Sequence, residues 1–179
     1  MPVSRESAPK EQGEPALDDM FSFRSIGNMD TLPPLQPGQL IARGTARHLR
    51  QHNFVCLEEF VPTSGLRVDL LALGPKSEIW VVECKSSRND FLSDSKWQRY
   101  LEWCDRFFWA VQPDFPIDLL PKNTGLIIAD AYDAEILRAA PEHKLPTARR
   151  KKLLLKFARN SADRLRGFVD PKPSRLFGT

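Results

Sequence analysis

The chain has 179 residues, 41% hydrophobic and 27% charged, with four Trp, which suits one packed domain with appendages. Its longest uninterrupted apolar run, Phe107 to Val111, is far too short to span a bilayer, and no apolar export segment stands near Met1, so a cytoplasmic, non-membrane protein is expected. The net charge of +3 conceals a polarised chain: residues 1–37 carry three Lys or Arg against six acids, whereas residues 144–179 carry eleven against Asp163 and Asp170. That asymmetry points to a nucleic-acid-facing C-terminal segment and a nucleoid-associated location.

In chain order, residues 1–37 hold six prolines and few periodic apolar positions, and read as a disordered leader. A helix is expected from Gly38 to His52, with Leu40, Ile41, Ala42, Ala46 and Leu49 on its apolar face. Three β-rich runs follow, near 54–61, 66–73 and 78–86. A helix from about Asp94 to Cys104 is signalled by a capping box, Ser95 with Gln98 three residues on. Strands are expected at 106–111, 125–129 and 135–139, around a Pro-rich loop at 113–121. A last helix covers about 148–166, with Leu154, Phe157, Ala158, Ser161 and Leu165 as its inner stripe. The order is that of an αβββαβ core: a mixed β-sheet flanked by helices, spanning 38–143, followed by a basic helix and tail over 144–179.

The most informative residues are Asp69 on the second strand and Glu83 and Lys85 on the third. Strand side chains alternate, so Glu83 and Lys85 share a face and Cys84 points away. If Leu73 pairs with Ile79 across a Gly74–Glu78 loop, Asp69 lies opposite Glu83. Two carboxylates and an ammonium then converge among apolar side chains, where charge is costly unless paired or bound to a metal. Mg²⁺ (or Mn²⁺) takes one or two carboxylates and keeps several waters. Asp69 and Glu83 could supply them, the Cys84 carbonyl could add a ligand, and Lys85 could orient or help deprotonate an attacking water. Such a site suits phosphodiester hydrolysis. A buried Lys–acid pair that only joins two strands is the structural alternative.

Asp69 followed by Glu83-Cys84-Lys85 after a short hairpin resembles the core of the PD-(D/E)XK, restriction-endonuclease-like nucleases. A longer set is similar to the bacterial MmcB family of DNA repair proteins. It comprises Val82–Ser87, Ser95-Lys96-Trp97, Tyr100-Leu101, Cys104–Phe107, Gly125–Ala131 and Glu135-Ile136-Leu137, within about 39–159. The resemblance implies a restriction-endonuclease-like fold, a DNA repair role and endonuclease activity, with Asp69, Glu83 and Lys85 catalytic. It departs from the superfamily pattern in having Val68 where Pro gives the motif its name. Many superfamily members also carry an acid on the first helix, and Gly38–His52 has none. Glu59, which aligns with the acid before Phe60 in the resembling family, is the substitute, and alternation lets only one of Glu58 and Glu59 face the site.

Ser86, Ser87 and Arg88 leave the third strand beside the site, and Lys96 and Gln98 open the next helix; all five are expected phosphate contacts. Arg149, Arg150, Lys151 and Lys152 crowd a helix first turn, where cations oppose the dipole, so DNA binding by these four and by Lys156 and Arg159 is the expectation. Nothing reads bases, so the DNA is expected to be chosen by structure: branched, damaged or single-stranded. DNA-repair protein partners fit the same role. His48 and His52 have the i, i+4 spacing of zinc ligands, with Cys56 as a conceivable third, but lack the accompanying Glu. Three cysteines without C-x-x-C spacing read as free thiols. Two rivals to a DNA endonuclease stand: a non-catalytic DNA-binding repair module, and an RNA-processing nuclease.

Overall fold

A computed structural model describes residues 34–171. The expected leader lies almost wholly outside the described residues, as does the tail beyond residue 171.

Helix α1 (Pro37–Gln51) starts with Pro at N1 after extended Gln36, whose N–H donates to Gln39 Oε1 at 2.8 Å. Ile41, Ala42, Thr45 and Leu49 form its buried stripe, and buried Gly44 is needed there. A Cβ at Gly44 would sit 2.0 Å from the Asp130 carbonyl oxygen and 2.8 Å from that of Asp133, so the helix backbone rests directly on the last hairpin turn.

The strands are β1 (Val55–Thr63), β2 (Leu66–Leu73), β3 (Ile79–Lys85), β4 (Arg106–Val111), β5 (Gly125–Ala129) and β6 (Ala134–Arg138). They form one six-stranded sheet in sequence order. Neighbours β1–β2, β2–β3 and β5–β6 are antiparallel; β3–β4 and β4–β5 are parallel. Both parallel pairs need crossovers, and β4 at their centre is buried on both faces from Phe107 to Val111, as its unbroken apolar run requires. One side of the sheet packs Phe60, Val81, Phe107 and Trp109 with Leu153 of helix α3 (Thr147–Val169); the other packs Val82, Phe108 and Ile127 with Ile41 and Leu49 of α1.

The β2–β3 hairpin has the expected register, Leu73 against Ile79, closed by Gly74 N–H donating to the Glu78 carbonyl at 2.9 Å. Two expectations fail. No α-helix runs from Asp94 to Cys104. Instead α2 covers Arg88–Ser93, capped by Ser87, whose Oγ accepts from Asp90 N–H at 3.2 Å, and a 3-10 helix covers Trp97–Trp103. Asp94 ends α2 in extended backbone because its carboxylate is drawn to Lys85 and to the Lys96 N–H. The inner stripe of α3 also differs. Leu153 is buried and Phe157 packs on Phe60 with ring centroids 6.3 Å apart, while Ala158 and Leu165 are exposed. From Ala162 to Asp170 every residue is exposed, so the helical stripe loses the sheet it was patterned to meet.

Candidate active site

The β2–β3 ladder runs from Leu73–Ile79 to Leu70–Val82, and at the next level side chains replace the backbone pairing. Asp69 N–H donates to Glu83 Oε1 at 3.2 Å, and Cys84 N–H donates to Asp69 Oδ2 at 2.8 Å. Each carboxylate is thus held by a backbone donor on the other's strand. Lys85 Nζ stands 3.9 Å from Glu83 Oε2, 2.7 Å from Asp94 Oδ2 and 5.7 Å from the centre of the Trp109 ring. Glu83 and Lys85 are only 3% and 6% exposed, so their charges act at low dielectric.

Burial pushes the Glu83 carboxyl up to about 9, and the Asp69 charge adds to it; Lys85 and the Asp69 N–H offset only part. Asp69 is also raised, by burial, against the pull of the Cys84 N–H and of Lys85. Burial lowers the Lys85 ammonium, but the hydrogen bond it donates to Asp94 and the Asp94 charge outweigh that, and the net shift is upward. The pair of acids is therefore short of positive charge even with Lys85 in place. Among the described residues no group of three or more His, Cys, Asp or Glu is arranged to hold a metal. Two neighbouring carboxylates with raised affinity for a proton do fit a hard divalent cation, which needs one or two carboxylates and keeps waters.

The site opens on a hollow lined by Glu58, Glu59, Asp69, Cys84, Lys85 and Asp90, walled by the first turn of α1. Both Glu58 and Glu59 line it, contrary to strict alternation. Glu59 has φ +53°, and β1–β2 pairing passes from Glu58–Leu70 to Phe60–Val68 without a Glu59–Asp69 pair. That left-handed residue flips the phase of the strand, and Glu59 spends its carboxylate on Arg67 at 2.7 Å.

Of the residues expected to meet phosphate, Arg88 is exposed on α2, while Ser86 and Ser87 engage Asp90. Lys96 lines a separate hollow with Arg67 and Tyr100, and Gln98 is exposed outside the acid-lined one. The run Arg149–Lys152 is not one exposed patch, which corrects its reading as a uniform phosphate-binding turn. Arg150 makes a two-pronged pair with Asp105, at 2.8 and 2.6 Å, and Arg149 lies 4.9 Å over the Trp103 ring. These two tie α3 to the end of the 3-10 helix and to the residue that precedes β4, and Lys151, Lys152 and Arg159 are exposed, with Lys156 half-buried. His48 lies 3.6 Å from Asp133, and its ring sits 4.7 Å from that of His52. Cys56, Cys84 and Cys104 are all free. Sequence reasoning missed Asp90 and Asp94, whose roles depend on a helix ending at Ser93. It also missed the pairing of Asp105, which accepts from Ile79 N–H, Leu145 N–H and Arg150.

The sheet order, its mixed pairing and an acid–acid–lysine cluster at one end define a mixed α/β protein of restriction-endonuclease-like architecture. The chain belongs to the family described as DNA repair protein MmcB-like, which it matches over residues 35–172. It is also similar to a solved structure of a protein of unknown function from Silicibacter pomeroyi, at 64% identity and a TM-score of 0.77, covering 82% of this chain and 100% of that one. No curated protein matches it. Family membership carries a role in DNA repair. Among the described residues no helix is long and apolar enough to cross a membrane.

Proposed function

We propose that the chain cleaves DNA phosphodiester bonds as an endonuclease, using Mg²⁺ or Mn²⁺ held by Asp69 and Glu83 with help from the Cys84 carbonyl. The observation that carries this reading is the reciprocal locking of Asp69 and Glu83 onto opposite strands beside Lys85, next to an open hollow. When bound, the cation would neutralise charge on the phosphate and lower the pKa of a coordinated water. Asp69 would keep its orientation through the Cys84 N–H, and Glu83 through the Asp69 N–H. Lys85, kept protonated by Asp94, would orient the attacking water or steady charge on the phosphate rather than act as the base. Glu59 becomes a further ligand only by leaving Arg67. Arg88, Lys151, Lys152 and Arg159 remain available for phosphate contacts on the DNA flanks.

One observation supports a rival, a DNA-binding repair module without chemistry. Glu83 is buried and is absent from the lining of the hollow. The decisive experiment incubates purified protein with branched, single-stranded and damaged DNA, and with RNA, in Mg²⁺, Mn²⁺ or EDTA. Asp69→Ala and Glu83→Ala should abolish cleavage and leave DNA binding intact or slightly tighter. Cleavage by either variant at the wild-type rate would remove these acids from the mechanism.

A further inference from the structure

The cations best placed to deliver a phosphate backbone to the acid cluster are on α1. Arg43, Arg47 and Arg50 follow the i, i+4, i+7 spacing of a single helix stripe, and all three are exposed. With Phe54, Val55, Cys56 and Glu58 they line a groove between α1 and β1. Glu58 also lines the hollow that holds Asp69, Cys84 and Lys85, so groove and hollow meet there. Among the described residues none of the three arginines lies within 4.0 Å of a carboxylate, whereas Arg106, Arg149, Arg150 and Arg166 do. Arg47 has one long bond, 3.4 Å, to the Ala131 carbonyl.

Helix stability accounts for Arg50, which stands in the last turn and favours the dipole, but not for mid-helix Arg43 and Arg47. A row of uncompensated guanidinium groups is suited to phosphate, which accepts two parallel N–H donors. Arg43 to Arg50 covers seven helical steps, about 10 Å, which matches about three nucleotides of one strand at about 3.4 Å each. The acids Glu58 and Glu59 would repel phosphate, so the track ends where a cation is required.

We propose that the α1–β1 groove is the track for one DNA strand, with Arg43, Arg47 and Arg50 contacting its phosphates and steering it to Asp69 and Glu83. The destination rests on the nuclease reading above; the binding surface does not. The test measures binding of the full chain to a fluorescent single-stranded oligonucleotide over a salt series in EDTA, where metal-dependent cutting is silent. Changing Arg43, Arg47 and Arg50 together to Gln should weaken binding at least about tenfold at low salt. It should also reduce the slope of log K against log salt by about 2, at about 0.7 per contact on a single strand. Arg47→Gln alone, checked for an unchanged melt, should take about a third of that slope. A control with the same loss of charge, Arg99→Gln, Lys122→Gln and Lys144→Gln, should stay near wild type. Equal losses in the triple variant and the control would overturn the track in favour of net charge. Wild-type binding by the triple variant would overturn it while leaving a cleaving enzyme intact. A wild-type chain that binds through these arginines and never cuts would uphold the track and sink the nuclease reading. A wild-type chain that binds no DNA would sink both.

Discussion

Lys85 Nζ lies 2.7 Å from Asp94 Oδ2, closer than the 3.9 Å that separates it from Glu83 Oε2. The motif lysine is therefore aimed by an acid nine residues further on, at the end of α2. Asp94→Asn keeps the shape and deletes the charge, leaving Lys85 free to collapse on Glu83. Groups that orient a site's charged residues typically matter by about 10–100-fold, and cleavage by Asp94→Asn should fall within that range with the fold retained. Unchanged kcat at saturating DNA would show that Asp94 only ends the helix.

Lys85→Met separates chemistry from architecture. The substitution leaves Asp69, Glu83 and Asp94 without their shared cation, and breaking a buried pair costs about 3–5 kcal/mol. The melting temperature should drop in EDTA and recover in part with Mg²⁺, which would replace the lost positive charge, while cleavage stays orders of magnitude below wild type. A stable, Mg²⁺-binding Lys85→Met protein that cuts normally would exclude the lysine from the mechanism.

The raised Glu83 carboxyl makes metal-free stability depend on pH. Its ordinary value is 4.5 and its folded value about 9. In that window the unfolded chain releases a proton that the folded chain retains, so ionising conditions favour unfolding. Stability from this group is complete below about pH 4.5 and is lost as pH rises towards about 9. Denaturant titrations in EDTA between pH 5 and 9 should show that fall, and Glu83→Gln should flatten it. A slope unaltered by Glu83→Gln would assign the effect to other groups.

Mg²⁺ should act in the opposite sense. A cation held by Asp69 and Glu83 binds the ionised form, so it should raise the melting temperature more at pH 8 than at pH 6. At 100 times its Kd the gain is about 2.7 kcal/mol. Asp69→Asn should remove the pH-dependent part of that gain; a gain that persists in Asp69→Asn would locate cation binding elsewhere.

Asp105 is the anchor of the opposite sheet end. Its carboxylate accepts from Ile79 N–H at 2.7 Å, Leu145 N–H at 2.9 Å and both arms of Arg150. Burial opposes its ionisation, but the Arg150 hydrogen bonds and the two backbone donors hold it below the usual carboxylate range. Its contribution is present above about pH 3.8 and is lost as pH falls through the lower folded value. Asp105→Ala strands a half-buried Arg150 and two buried N–H groups; each unsatisfied group costs about 1–3 kcal/mol, so urea unfolding at pH 7 should show a loss of several kcal/mol. A double-mutant cycle with Arg150→Ala should show coupling, since both remove the same bonds. Strictly additive losses would mean that the two residues act independently.

Much of this protein is legible without coordinates because it is encoded locally. The Gly74–Glu78 loop sets the Leu73–Ile79 register, and continuing that register one step past Leu70–Val82 brings Asp69 beside Glu83. The runs at 66–73, 106–111 and 125–129 are strands over those same residues, since turns bound each one. What the pattern could not decide depends on partners brought together by the crossovers. Ser95 with Gln98 is a sound local capping signal, but Ser87 caps first and Asp94 turns out to reach Lys85 on β3. Arg149 and Arg150 look like free cations until α3 lies on the sheet, where Trp103 and Asp105, more than forty residues away, claim them. The three arginines of α1, unremarkable in the sequence, gain meaning only when β1 closes a groove beside them. Backbone state follows from a few adjacent side chains, whereas the partner of a charge depends on which distant elements pack against it, and only the folded chain decides that.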